Sequence, residues 1–411
     1  MAGTEQAVLE QRMASVETKL AELGFDALAV YARGSGSAFG SKSHGYMRYL
    51  RDWDTYYSPG VVLVLAPGRP RTLITSDIFL KKLTEQHLFP GEAIVYSPLP
   101  DMAGTVLRIL GDLAAAGGRP VTRLAWLGRS ETPAPFWETL KEGLHPGAEI
   151  RDFEEHLAMD LAVKDAGQLA LHREAAAICD AMYEELDRLV PRGLSAWHLR
   201  SAMEKTARDA GAEHCLIWLT VAPVAESCHF YREDSARVPQ PGDQVLCGIY
   251  TLYRGHWGHG IRMGSYGEAT PAMLRAYDTV REMQEAALAA LVPGSNLYAV
   301  NQAFEAVFAR RFPGPREDIF RFRAAHGLGH FSEDPLTTDP FQHAYAPAVP
   351  VPPDAFLEIL PGMLFELHPN YFQAGVAGAA LGDMVYVGNN GPELLLRFPR
   401  EFRNWGGAEG S

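Results

Sequence analysis

Apolar residues recur at helical spacing from Val8 to Leu23, which predicts an amphipathic helix ending at Gly24. Short apolar runs at Ala27 to Tyr31 and Val61 to Leu65 predict strands. Pro67-Gly68 then marks a turn, and Thr72 to Thr75 a further strand. Helical and strand patterns alternate in this way to about Asp152, the signature of an α/β domain. From Leu161 the pattern changes. Two long helical patterns, Gln168 to Leu189 and Ala196 to Ala210, precede strands at Cys215 to Val221, Gln244 to Leu252 and His256 to Met263. Tyr253-Arg254-Gly255 supplies a hairpin turn. Helices at Pro271 to Leu291 and Leu297 to Phe312 follow, then short strands within Met363 to Pro369 and Met384 to Val387. Along the second strand of the hairpin, period two puts Trp257, His259, Ile261 and Met263 on one face. His256, Gly258, Gly260 and Arg262 fall on the other, and the two glycines leave room there for a backbone or a ligand.

Composition narrows the classes. The chain has 411 residues, enough for two domains of unequal size. A net charge of -13 with no basic stripe excludes a nucleic-acid partner. No apolar run approaches the roughly 18 residues needed to span a bilayer, and the polar stretch Met1 to Leu20 does not read as a signal peptide. The four cysteines, Cys179, Cys215, Cys228 and Cys247, lack short paired spacings and read as reduced thiols of a cytoplasmic protein. Gly34 to Gly40 is glycine-rich but lacks the Lys-Ser/Thr and helix start of a phosphate loop.

Several segments, in order, resemble the creatinase, prolidase and aminopeptidase P family. They are Gly24-Phe25-Asp26-Ala27-Leu28, Tyr46-Met47-Arg48-Tyr49-Leu50, Val163-Lys164-Asp165, Pro241-Gly242-Asp243, Gly255-His256 to Arg262, His326-Gly327-Leu328-Gly329 and Pro361-Gly362-Met363-Leu364-Phe365. The resemblance implies an α+β fold: a pita-bread catalytic domain over residues 156–411, preceded by a smaller α/β creatinase-type domain over residues 1–155. It also implies a homodimer acting on a small-molecule substrate.

Most family members hold two divalent metals through two Asp, one His and two Glu, which together activate a bridging water. Aligned by motif, these five positions fall on Gly248, His259, His326, His368 and Gly382. Arg262 and Asp383, which accompany them in the family, are retained. Four of five ligands therefore differ. The three histidines all fall on ligands of one metal, and three converging imidazoles suit a single divalent transition ion such as Fe or Zn.

The resemblance leaves a metal-free alternative open, because creatinase works without metal and uses a His as acid/base, and ectoine hydrolase is a related case of C–N hydrolysis. His229, in Ser227-Cys228-His229-Phe230-Tyr231, matches the acid/base His of that branch. Glu366 shares a strand face with His368 and is a candidate base, imidazole partner or displaced ligand. Arg262, His330, Glu333 and Trp257 are candidate substrate-binding residues, with Arg262 equally readable as a structural ion-pair partner. Tyr345 and the proline-rich Ala344 to Pro353 read as a loop over the pocket. The leading expectation is hydrolysis of a non-peptide amide or amidine C–N bond. A mononuclear iron oxygenase or lyase on the same histidines, and a non-catalytic binding protein, are the alternatives.

Overall fold

The protein is described by a computed structural model covering residues 3–56, 60–225, 236–314, 316–332 and 357–406. It forms two compact units: Met1–Leu161 with His330–Ser332, and Ala162–Gly329 with Glu333–Ser411. The boundary falls at Leu161 rather than at residue 155. The reason is that Phe153, Leu157 and Leu161 are buried in the core of the first unit.

In the first unit six strands form one sheet. They are β1 (Ala27–Ala32), β2 (Val61–Leu65), β3 (Arg71–Thr75), β4 (Glu92–Tyr96), β5 (Arg123–Leu127) and β6 (Glu149–Asp152), in the order β4-β3-β2-β1-β5-β6. The pairs β1–β2 and β2–β3 are antiparallel, and the outer pairs are parallel. The two central strands are buried along their whole length, which is why they read as unbroken apolar runs. Helices α1 (Gly3–Glu22), α2 (Lys42–Arg51), α3 (Ile78–Thr84), α4 (Met102–Gly117), α5 (Ala134–Gly143) and α6 (Glu154–Ala162) connect or flank them. One apolar layer contains Leu9, Met13, Val16 and Leu20 of α1, and the other Val106, Ile109 and Leu110 of α4.

The second unit opens with α7 (Ala166–Leu189). Its start is set by a capping box, in which Asp165 accepts from the Gln168 amide and the Gln168 side chain accepts from the Asp165 amide. Helix α8 (Ala196–Asp209) leads into β7 (His214–Ala222), β8 (Gln244–Tyr253) and β9 (His256–Tyr266). These join a mixed sheet in the order β17-β9-β8-β7, antiparallel across β7, β8 and β9 and parallel at its edge strand β17 (Arg403–Trp405). The β8–β9 turn has positive φ at both Arg254 (46°) and Gly255 (75°), the I′ geometry that suits a tight hairpin. That turn fixes the register, so Tyr250 lies directly opposite His259 and Gly248 opposite Ile261.

After α9 (Pro271–Ala290) and α10 (Leu297–Arg311) come β10 (Ile319–Phe320), β11 (Ala325–Gly327), β12 (Leu364–Leu367), β13 (Asn370–Gln373), β14 (Ala377–Ala380), β15 (Asp383–Gly388) and β16 (Gly391–Leu394). They make a four-stranded sheet, β11-β12-β15-β16, and a three-stranded sheet, β10-β13-β14. An isolated antiparallel bridge between Ile261 and Gly382 links β9 to the start of β15, with both backbone hydrogen bonds made. The face of β9 carrying Gly258 and Gly260 packs on α7. A Cβ at 258 would meet the Ala175 carbonyl oxygen at 2.7 Å, so the close approach is that of a helix backbone and not of a ligand.

Candidate metal centre

Three buried histidines from three strands of the second unit converge. His259 comes from β9, His326 from β11, and His368 from the residue following β12. One ring nitrogen of each lies within 4.8 Å of the other two. The ring centroids form a triangle with sides of 5.6, 5.7 and 5.0 Å. Two of the rings are oriented by backbone. Nδ1 of His259 pairs with the Ile249 carbonyl and Nδ1 of His326 with the Gly327 carbonyl, each at 2.8 Å. A carbonyl can only accept, so both Nδ1 atoms carry the proton and the lone pairs sit on Nε2, that of His326 accepting from Tyr250 Oη at 3.2 Å. Nδ1 of His368 has no hydrogen-bond partner among the described residues.

Burial pushes all three imidazoles below their ordinary range, His368 to about 3. The Arg323 guanidinium acts on all three in the same direction. The rings are therefore neutral at pH 7, the state a metal requires.

Glu366 lies directly across from His326 in the β11–β12 ladder and two residues before His368. It is fully buried and neither carboxyl oxygen has a hydrogen-bond partner. Burial, reinforced by Asp383, holds its proton on well above the usual carboxylate range, with Arg262 opposing.

The two glycines aligned with lost carboxylates are filled from their surroundings. A Cβ on Gly248 would lie 3.2 Å from the Trp218 ring and 3.7 Å from Ile261 Cγ1. A Cβ on Gly382 would collide with Glu366 Oε1 and approach Ile261 to 2.7 Å at N and 2.8 Å at Cγ1. Ile261 thus occupies the space between the two positions, and hydrocarbon stands where a second ion would need oxygen ligands. Gly382→Ala is accordingly expected to lose about 1–3 kcal/mol of stability, read as a lower midpoint in chemical unfolding. Glu366→Ala in the same chain should recover part of it.

The predicted site residues divide. His259, His326 and His368 are brought together, with Glu366 on their flank. Arg262 is placed as a buried ion-pair partner, the second of its two readings. It is 1% exposed, pairs with Asp383 Oδ1 at 2.7 Å, and donates to the carbonyls of Gly382, Phe398 and Pro399. Trp257 is likewise wholly buried, set edge-on to Tyr250 at 6.0 Å and to His214 at 5.9 Å, so it packs within the unit rather than offering a binding surface. His330 groups with the first unit, its ring edge-on to Tyr49 at 5.8 Å. His229, Glu333, Tyr345 and the proline-rich stretch lie outside the described residues. Sequence reading missed Tyr250 and Arg323. Counting back from the Arg254-Gly255 turn would have placed Tyr250 opposite His259; nothing in the sequence marks Arg323.

The donor set fits one transition ion: three neutral imidazoles with oriented lone pairs, an unpartnered His368 nitrogen and an unpartnered carboxyl beside them.

Residues 170–389 match the model of metallopeptidase family M24. The protein YkvY of Bacillus subtilis (strain 168) is 23% identical over 255 residues, which cover 62% of this chain and 66% of that protein. The agropine synthesis cyclase of Rhizobium rhizogenes is 27% identical over 274 residues, covering 61% of this chain and 64% of the cyclase. The chain thus spans about two thirds of the length of these relatives. Among solved structures, the X-Pro aminopeptidase of Thermotoga maritima superposes with a TM-score of 0.74 at 17% identity, over 95% of this chain and 98% of that one. That likeness establishes the pita-bread fold with its N-terminal domain.

Proposed function

The chain belongs to metallopeptidase family M24, and from that premise we propose that it is a hydrolase of a small non-peptide amide or amidine, built on one divalent ion held by His259, His326 and His368. The observation that carries this is the exchange at the centre: three buried neutral imidazoles converge, and Ile261, Trp218 and Glu366 fill the space of the lost carboxylates. A relative that is a cyclase rather than a peptidase supports a departure from peptide substrates.

Bound to three neutral ligands, a divalent ion supplies a strong Lewis acid and an acidified water. The chain's own residues do the rest. The Ile249 and Gly327 carbonyls orient two of the imidazoles. The Phe322 ring packs beside that of His368 at 5.6 Å. Glu366 holds a proton at a carboxyl oxygen and can deliver it to a departing amine. His229 is its proposed acid/base counterpart. We extend the reading to a cytoplasmic homodimer. Among the described residues no helix is long and apolar enough to cross a membrane.

The test joins metal content to turnover. Elemental mass spectrometry should find one Zn or Fe per chain, zinc pointing to hydrolysis and iron to redox or lyase chemistry. Amine release from creatine-like and other small amides should exceed cleavage of Xaa-Pro dipeptides. Glu366→Gln should lower turnover roughly 10²–10⁴-fold without loss of metal. Preferential Xaa-Pro cleavage, or full turnover in that variant, overturns the reading.

A further inference from the structure

We propose that Tyr250 is a fourth ligand, so that the centre holds its ion through three imidazoles and one phenolate. The proposal rests on the three-histidine reading above and adds to it an anionic oxygen donor from a residue type outside the family's carboxylate set.

Three observations carry it. Tyr250 and His259 are directly paired across β8–β9, so their side chains leave the sheet on the same face. Their rings stack at 3.6 Å with planes 24° apart. The Tyr250 hydroxyl ends 3.2 Å from His326 Nε2, the nitrogen that carries that ring's lone pair.

The distance suits a shared ion as well as the hydrogen bond that now spans it. A first-row ion with bonds of 2.0–2.1 Å holds neighbouring ligand atoms roughly 2.9 Å apart in an octahedron and 3.3 Å apart in a tetrahedron. The 3.2 Å between Oη and Nε2 lies inside that interval. An ion bonded to both would subtend about 104° at that spacing, an ordinary angle for either geometry. Tyr250 thus already stands at coordination spacing from one histidine.

Charge argues the same way. Family members neutralise their ions with carboxylates at positions that are here Gly248, His259, His368 and Gly382. Three neutral imidazoles alone would leave two positive charges on an ion in a buried site, at high desolvation cost. Glu366 sits over Gly382 and is not part of the converging group. A phenolate removes one of the two charges. The balance is simple: the Oη–H bond breaks, the proton leaves to solvent, and the oxygen lone pair binds the ion. The hydrogen bond that Tyr250 makes to His326 is exchanged for two metal bonds, and no electron transfer is involved.

The experiment uses the full chain loaded with ferric iron. Phenolate bound to ferric iron gives a visible charge-transfer absorption that imidazole and carboxylate ligands do not give. The expected result is one iron per chain with that band in the wild type, and in Tyr250→Phe the same iron content with the band gone. One iron per chain without the band, or an unchanged band in Tyr250→Phe, overturns the phenolate and leaves the three histidines standing. No iron retained by the wild type overturns the four-ligand site, and if zinc is not retained either, the three-histidine reading falls with it. If Tyr250→Phe fails to fold, 3-fluorotyrosine placed at position 250 preserves the ring and the hydroxyl. A shifted band then supports the ligand, and an unshifted one refutes it.

Discussion

Replacing His259 or His368 by alanine is expected to weaken metal retention by more than about 100-fold and to abolish turnover, while the fold survives. Residues that merely support ligands cost about 10–100-fold when removed, and a direct ligand should cost more. With one imidazole gone, two nitrogens remain, and within the converging group there is no carboxylate to substitute. The cleanest readout is thermal. An ion at 100 times its dissociation constant adds about 2.7 kcal/mol to the folded state, so the wild type should melt higher when Zn or Fe is supplied. Both variants should melt at one temperature with or without metal. A metal-dependent rise preserved in His259→Ala would place the ion somewhere other than among these three rings.

Arg262→Ala should be among the most damaging substitutions outside the centre, costing about 3–5 kcal/mol. The guanidinium and Asp383 are both buried, at 1% and 0% exposure, and face each other at 2.7 Å. The arginine also ties Gly382, Phe398 and Pro399 through their carbonyls. Removing it leaves a buried carboxylate whose remaining cation among the described residues is Arg400, at 3.0 Å, and takes a donor from the Phe398 and Pro399 carbonyls, while Gly382 keeps the Ile261 N–H. Lysine restores the charge but not the fork, and should recover only part of the loss. The measurement is a denaturant midpoint together with steady-state kinetics. A variant that melts normally but has a raised KM would return Arg262 to the role of substrate clamp.

How far the sequence could be read depends on the range of the physics involved. Periodicity located most elements to within a residue or two: Val61–Leu65 is met by β2, Gln168 to Leu189 by α7 starting at Ala166, and His256 to Met263 by a β9 that runs on to Tyr266. The faces of β9 also follow from period two, with His259 and Ile261 toward the centre and Gly258 and Gly260 toward α7. The short strands β10, β13 and β14 could not be read, because two to four residues carry too little pattern and their pairing joins distant segments. The histidines were legible as chemistry because three ligand types changed to one. Arg262 was ambiguous because a charge on a buried strand face reads alike as clamp or as strut until its partners are known. Glu366 was legible as a neighbour of His368, but its place over Gly382 is a fact of packing between β12 and the start of β15. Tyr250 went unread although the hairpin turn fixes its partner, since tyrosines opposite histidines are unremarkable until a hydroxyl is seen 3.2 Å from a second imidazole.

The bridge between Ile261 and Gly382 also bears on how this chain could change by mutation. Its two backbone hydrogen bonds hold residue 382 against residue 261 while the Ile261 side chain fills the gap toward Gly248. A glutamate returned at 382 would strike both Ile261 and Glu366, and an aspartate returned at 248 would meet Trp218. Each reversion is harmful until its neighbours have shrunk, and shrinking a neighbour first opens a cavity in a working enzyme. Carboxylates at 248 and 382 are therefore opposed together by the packing of Ile261, Trp218 and Glu366, so single substitutions toward that ligand pair pass through variants strained by their own neighbours.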